Sequence, residues 1–111
     1  MGLSRASTPG TSTVAANQFP NTATITDASL TTTPTIILQA RPNLNRRGLL
    51  IENDGSVPMI FSFGTTVSLA ARTGLLNSND FYEDLLNWQG PVAAASVGGN
   101  GAANFTELVF I

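Results

Sequence analysis

Few residues in this sequence of 111 residues could do acid–base or metal chemistry. Three acids lie close together, at Asp80, Glu83 and Asp84. Paired carboxylates can serve glycoside hydrolysis or bind calcium. Calcium loops, however, interleave several oxygen ligands with a turn glycine, and the run 80–84 does not. We therefore expect these acids to form a solvated edge or to pair with an arginine of another subunit, and we predict no catalytic or metal site.

The residue inventory removes most other chemistry. The chain has no cysteine and no histidine, which excludes thiol nucleophiles, imidazole bases, Cys/His zinc sites and disulfides. One tryptophan and one tyrosine offer little aromatic lining for a substrate cleft. The glycine-rich run 98–101 lacks the Lys-Ser/Thr pair of a phosphate loop and predicts a hairpin turn. We expect no enzymatic activity, no cofactor and no small-molecule substrate.

The charge pattern points to protein partners. Only 11% of residues are charged, and the net charge is −2, whereas about a quarter of residues are charged in a typical domain. The chain has no basic stripe for nucleic acid. It has neither an apolar run of about 20 residues for a membrane span nor a signal-peptide start. We expect a protein made in the cytoplasm, or assembled there into something larger, with neutral surfaces covered by other protein copies.

Residues 1–21 form a distinct segment rich in Ser, Thr, Ala and Gly, without hydrophobic periodicity. Such a composition does not bury enough apolar surface to offset the entropy lost on ordering. We expect a flexible N-terminal arm. Its few apolar residues, Leu3, Val14 and Phe19, could anchor it on a neighbouring subunit.

Residues 22–111 are predicted to form a single all-β domain, because short β-branched runs alternate with turn residues. The predicted strands are 22–26, 35–39, 48–53, 58–63, 81–84, 92–97 and 104–111. Segment 67–76 is ambiguous and could hold one helical turn. Roughly seven to nine short strands indicate an antiparallel β-sandwich of jelly-roll-like type.

Two alternating runs indicate core faces. These faces carry Met59, Phe61 and Phe63 on one strand and Phe105, Val109 and Ile111 on another. The Asp-Gly pair in the turn 54–56 predicts a hairpin between the strands 48–53 and 58–63, because it supplies positive φ.

Several parts of the sequence resemble small β-sandwich proteins encoded among the virion genes of tailed phages. The pattern of these proteins is an Asn-Arg-x-x-Leu-x-Ile-x-Asn-x-Gly run, a strand ending in Phe-Gly, an acidic Tyr-Glu or Phe-Glu element, a Gly-Pro/Ala-Val/Ile-x-Ala strand and a terminal strand carrying Glu. The corresponding parts here are Asn45–Gly55, Phe63-Gly64, Phe81–Glu83, Trp88–Ala94 and Phe105–Glu107. The match covers a little over half of the chain. The family usually has Pro-Gly before the acidic element, where this sequence has Ser78-Asn79-Asp80.

The resemblance implies a structural protein of the virion. Related domains serve as capsid decoration (cement) proteins, which bind the major capsid protein and commonly form trimers, and as neck, tail or fibre components. A host-surface carbohydrate-binding module is the alternative from another class, with Trp88 and Tyr82 as its available aromatics. Nothing in the family pattern is catalytic. We expect scaffold roles for Asn53 and Gly55 in the turn, and an ion pair from Arg47 to a carboxylate such as Glu83.

Overall fold

The computed structural model describes residues 22–84 and 86–110, which form eight antiparallel strands in two four-stranded sheets. The strands are β1 (Thr22–Leu30), β2 (Thr35–Leu38), β3 (Arg46–Asn53), β4 (Met59–Phe63), β5 (Gly74–Leu76), β6 (Phe81–Glu83), β7 (Val92–Ser96) and β8 (Gly101–Val109). The predicted all-β sandwich is confirmed. The predicted arm, with Leu3, Val14 and Phe19, and the predicted core residue Ile111 lie outside the described residues.

The strand order is that of a jelly roll. One sheet has the order β1-β8-β3-β6 and the other has β2-β7-β4-β5. The first strand thus pairs with the last, the second with the seventh, the third with the sixth and the fourth with the fifth. This nesting makes an eight-stranded double sheet, as in other jelly rolls. No helix in the described part of the chain is long and apolar enough to cross a membrane.

The core lies between the sheets and follows the alternation of the strands. The first sheet contributes Leu49, Ile51 and Phe105, and the second contributes Met59 and Phe61, all at most 2% exposed. Phe63 is partly buried and packs against the same cluster, so the predicted core faces of β4 and β8 are confirmed for the residues described. Each fully buried side chain of this kind contributes roughly 1.5–3 kcal/mol.

The predicted hairpin between β3 and β4 is wrong. These strands lie in different sheets, and β3 has β8 on one side and β6 on the other, so neither edge of β3 is open to β4. The turn at Gly55 therefore passes from one sheet to the other. Gly55 has no positive φ. Glycine is required there because a Cβ would lie 2.7 Å from the backbone nitrogen of Ala102.

Two other loops also differ from expectation. The glycine-rich run 98–101 does turn, with φ of 83° at Gly98, but it joins β7 to β8 across the two sheets and not within a hairpin. Segment 67–76 contains β5 and, before it, a tight turn closed by reciprocal backbone hydrogen bonds between Ser68 and Ala71. That turn stands where the sequence allowed a helical one.

Candidate functional site

The principal polar feature of the interior is an ion-pair cluster at one end of the sandwich. Glu107, on the inner face of β8, is 3% exposed. Its carboxylate accepts hydrogen bonds from Arg46 Nε at 2.8 Å, Arg41 Nε at 3.0 Å and Arg41 Nη2 at 2.9 Å. Arg46 is fully buried, whereas the side chain of Arg41 is 32% exposed. Both cations therefore converge on one carboxylate.

Arg46 also organises the chain around it. Its Nη1 donates to the carbonyls of Trp88 and Gly90 at 3.0 and 2.8 Å, and its Nη2 donates to the carbonyl of Gln39 at 2.9 Å. The backbone N–H of Arg46 donates to Gln89 Oε1 at 2.9 Å, and Gln89 Nε2 donates back to the Arg46 carbonyl. Buried charge is tolerated only when it is paired and hydrogen-bonded, and Arg46 meets both conditions.

The same contacts set the protonation of Glu107. Burial alone would raise the pKa of the Glu107 carboxyl, but hydrogen bonds from Arg41 and Arg46 and their positive charges outweigh burial, so the pKa is lowered. The hydrogen bond to Glu107 is the main cause of a raised pKa at Arg41. Glu107 and Arg41 are therefore both charged at neutral pH.

The loop before β7 is held by a second carboxylate. Asp84 is 6% exposed, and its two oxygens accept the backbone N–H groups of Leu86 and Trp88, both at 2.8 Å. The Trp88 ring stacks on Phe63 with centroids 5.4 Å apart, and its Nε1 donates to the Pro91 carbonyl at 2.8 Å. Asp84 is thus a structural residue of this loop.

Asn53 is the corresponding polar residue at the other end of β3. It is 1% exposed. Its Oδ1 accepts the Gly55 N–H, and its Nδ2 donates to the carbonyls of Val57 and Leu76, each at 2.9 Å. The expectation that Asn53 and Gly55 shape this turn agrees with these contacts. The extra contact with Leu76, on β5 of the opposite sheet, had no signal in the sequence.

The expected ion pair between Arg47 and Glu83 is not formed within residues 22–84 and 86–110, where both salt bridges go to Glu107. Both side chains are exposed, and the Arg47 guanidinium lies 4.7 Å from the centre of the Phe110 ring. A register shift between Arg46 and Gly48 explains the difference, because it interrupts the alternation that would otherwise place Arg47 on the same face as Leu49. Arg46 points inward and Arg47 outward.

Glu107 was missed as a functional residue of the interior, although a signal was present. It stands between Phe105 and Val109, so a period of two places it on the core face of β8. A carboxylate at such a position requires a buried cation. Arg41 and Arg46 were the cations to consider, since both precede or begin strands next to it.

The outer face of the first sheet carries a groove of about 630 Å³. Across its floor, Leu108 of β8 is paired with Gly48 of β3. Gly48 leaves this floor open, because a Cβ there would lie 3.1 Å from Leu108 Cδ1. Phe81, 64% exposed, and Glu83 stand on β6 at the rim. The groove is an open apolar surface bordered by charge.

The acids considered for catalysis do not converge. Asp80 accepts the Asn77 N–H at 3.2 Å, Asp84 holds its own loop, and Glu83 is exposed. Within the described residues, no group of three or more acidic, histidine or cysteine side chains could hold a metal ion. Comparison of the chain with protein-family models, with curated proteins and with solved structures found no match.

Proposed function

We propose that this protein is a structural component of a tailed-phage virion, and specifically a capsid decoration (cement) protein that binds and bridges subunits of the major capsid protein. One observation carries the proposal. The sequence pattern shared with such proteins places Arg, Asn and Gly in one strand and turn and Glu in the last strand, here Arg46, Asn53, Gly55 and Glu107. In the structure these residues make buried polar contacts. Arg46 pairs with Glu107 inside the first sheet, and Asn53 accepts from Gly55 in the turn and donates to Leu76 of the opposite sheet. The pattern therefore describes a scaffold.

The fold and the composition support the same proposal. Double-sheet jelly rolls are used in viral capsid proteins and in lectins, although a fold by itself does not fix a function. The charge content of 11% leaves broad neutral surfaces that other protein copies can cover. In a lectin-like reading, Trp88 and Tyr82 would have to be presented to sugar. Here Trp88 stacks on Phe63, and Tyr82 packs against Phe61 with centroids 5.1 Å apart.

The proposed assembly is a homotrimer on the capsid surface, formed in the host cytoplasm. Residues 1–21 would contact a neighbouring copy or a capsid subunit through Leu3, Val14 and Phe19. Ordering costs roughly 1–2 kcal/mol of backbone entropy per residue, so the arm must gain real contacts. Deleting residues 1–17 should leave the sandwich folded and weaken particle binding or the trimer. Equal binding by the truncated protein would contradict a bridging arm.

Cryo-electron microscopy of particles carrying this protein tests the proposal. We expect jelly-roll density of 11.6 kDa in many copies on the outer capsid surface, at threefold or quasi-threefold positions. A small ring of copies at one vertex would instead indicate a neck, tail or fibre-attachment protein. Absence of the chain from purified particles by mass spectrometry would contradict a virion role altogether. Sedimentation that shows a monomer at high concentration would count against the trimer.

A further inference from the structure

The two outer faces of the sandwich differ. On the sheet β2-β7-β4-β5, the outer residues Ile60, Ala93 and Ala95 are at most 4% exposed, because Val67 in the β4–β5 connection packs over them. On the sheet β1-β8-β3-β6, the outer residues Ile25 and Leu108 remain 62% and 42% exposed. Leu108 lines the groove together with Leu50 and Phe81, and an exposed apolar cluster of this kind marks an interaction surface.

We infer that this groove is the docking site of the chain's own N-terminal segment, with Phe19 seated on the floor formed by Gly48 and Leu108. The inference goes beyond the proposed virion role and does not depend on it. It moves Phe19 from the neighbour contacts proposed above to the chain's own domain, and it leaves Leu3 and Val14, in the distal part of the segment, available for a neighbour.

The point at which the segment joins the sheet carries the inference. Thr22 is paired with Val109, Ala23 with Leu108, and Leu108 in turn with Gly48. Adjacent strands lie about 4.8 Å apart, so the floor begins about 5–10 Å from β1. Phe19 precedes Thr22 by three residues, which span up to about 10 Å when extended. Phe19 is therefore the large apolar side chain of the segment that reaches the floor most directly.

The charge of the segment agrees with this docking. The exposed Glu52 and Glu83 border the groove. Residues 1–21 contain no aspartate or glutamate and carry Arg5 as their one charged side chain. The segment thus brings an aromatic ring to an apolar floor without placing a carboxylate beside the two glutamates.

Paramagnetic broadening in the full-length protein tests the docking. The chain has no cysteine, so Ala16→Cys creates a single site for a nitroxide label close to Phe19. We expect the amide signals of Gly48 and Leu108 to lose intensity in the labelled protein, while that of Leu69, on the loop over the other sheet, keeps it. Phe19→Ser and Leu108→Thr should each restore the lost intensity. Leu69→Thr, which replaces a leucine 56% exposed elsewhere, should not.

A mixed sample shows whether the segment in the groove belongs to the same chain or to another copy. It combines ¹⁵N protein without a spin label and spin-labelled ¹⁴N protein. Docking within one chain gives no broadening in this mixture, and the broadening in the singly labelled sample is independent of dilution. Broadening found only in the mixture would overturn the inference, because the occupant would then be a second copy. Absence of broadening at Gly48 and Leu108, or broadening that Phe19→Ser leaves unchanged, would overturn it as well. None of these outcomes depends on capsid binding.

Discussion

Replacing Glu107 by glutamine should strongly destabilise the fold, because Arg46 would remain buried as a cation without its counter-ion. Glutamine keeps the size of glutamate and one acceptor oxygen, so the change removes charge and leaves packing intact. Removing one partner of a buried ion pair costs about 3–5 kcal/mol. Arg46 keeps three backbone carbonyl acceptors, which partly solvate it. We therefore expect about 3 kcal/mol, at the lower end of that range.

Two matched variants compare this loss of stability with the losses caused by changes at less buried charges. Arg41→Gln removes the partly exposed cation of the cluster, and we expect a loss of about 1 kcal/mol because solvent screens that pair. Glu52→Gln changes an exposed glutamate on the neighbouring strand β3 and should stay within about 0.5 kcal/mol of the unmodified protein. The order Glu107→Gln, then Arg41→Gln, then Glu52→Gln follows from burial alone.

Urea unfolding at pH 7 followed by tryptophan fluorescence provides the assay. Trp88 is the one tryptophan of the chain, and its backbone carbonyl accepts from Arg46, so its signal reports on the loop around the cluster. A loss of about 3 kcal/mol also corresponds to roughly 12 °C in the melting temperature of a domain this size. If Glu107→Gln and Glu52→Gln unfold at the same urea concentration with equal slopes, the buried ion pair does not stabilise the protein and the reasoning is refuted.

Three further results are expected. First, the pKa of Glu107 is lowered in the folded state. The stability that ionised Glu107 contributes to the fold is therefore complete above the unfolded-state pKa of about 4.3 and is lost as the pH falls through the folded-state pKa. The stability gap between the unmodified protein and Glu107→Gln should accordingly narrow in acid titrations read by urea unfolding. Second, Asn53→Ala should cost about 2–3 kcal/mol in the same assay, since it leaves buried backbone groups without partners. Third, Gly55→Ala should cost about 1–3 kcal/mol through overpacking against the Ala102 backbone, whereas Gly64→Ala, whose Cβ would meet nothing nearer than 3.8 Å, should be tolerated in thermal unfolding.

Each of these results has a contradicting outcome. A stability gap that stays constant between pH 7 and pH 3 would mean that the ionisation of Glu107 does not contribute. If Asn53→Ala and an alanine variant of the exposed Asn77 are equally stable, the hydrogen bonds of the Asn53 side chain do not stabilise the fold. Equal melting temperatures for Gly55→Ala and Gly64→Ala would show that the backbone at Ala102 can shift without cost.

The strands were predictable from the sequence, but their pairing was not. Period-two alternation and turn residues indicated the positions of β1, β3, β4 and β8, because those signals are local. Pairing was inferred from sequence neighbours, on the assumption that strands joined by a short turn form a hairpin. In the jelly roll, β3 pairs with β8 and β6, and the short turn at Gly55 crosses between sheets. No local signal distinguishes these two uses of a turn.

The interior site was predictable in part. Asn53 and Gly55 were recognised because an Asn and a Gly beside a turn have few other roles. The arginine was assigned one residue too late, to Arg47 instead of Arg46, because a period of two counted back from the core residues Leu49 and Ile51 falls on Arg47. A register shift between Arg46 and Gly48 disturbs the alternation there. A period of two places Glu107 on the core face, and its need for a buried cation would have corrected the assignment.

The two buried polar sites lie at the two ends of one strand, and this placement explains what they contribute. Arg46 begins β3 and Asn53 ends it, about 24 Å apart at 3.4 Å per residue. Each residue bonds to a segment of the opposite sheet, Arg46 to the Gln39 carbonyl after β2 and Asn53 to the Leu76 carbonyl of β5. A slip of β3 by one residue would turn both outward and bury their exposed neighbours. Polar contacts at both ends therefore fix the register that apolar packing alone would leave less certain.

The separation of these sites leads to a quantitative test. Sites more than about 7–10 Å apart without shared partners give additive effects on stability, within about 0.5 kcal/mol. The double variant Glu107→Gln with Asn53→Ala should therefore lose the sum of the two single losses, read from urea unfolding of a protein stabilised by an osmolyte so that all four forms fold. Glu107→Gln with Arg41→Gln is the control, because these residues share hydrogen bonds and their losses should not add. If the stability losses of the first pair depart from additivity as far as those of the second, the two buried polar sites of β3 are not independent.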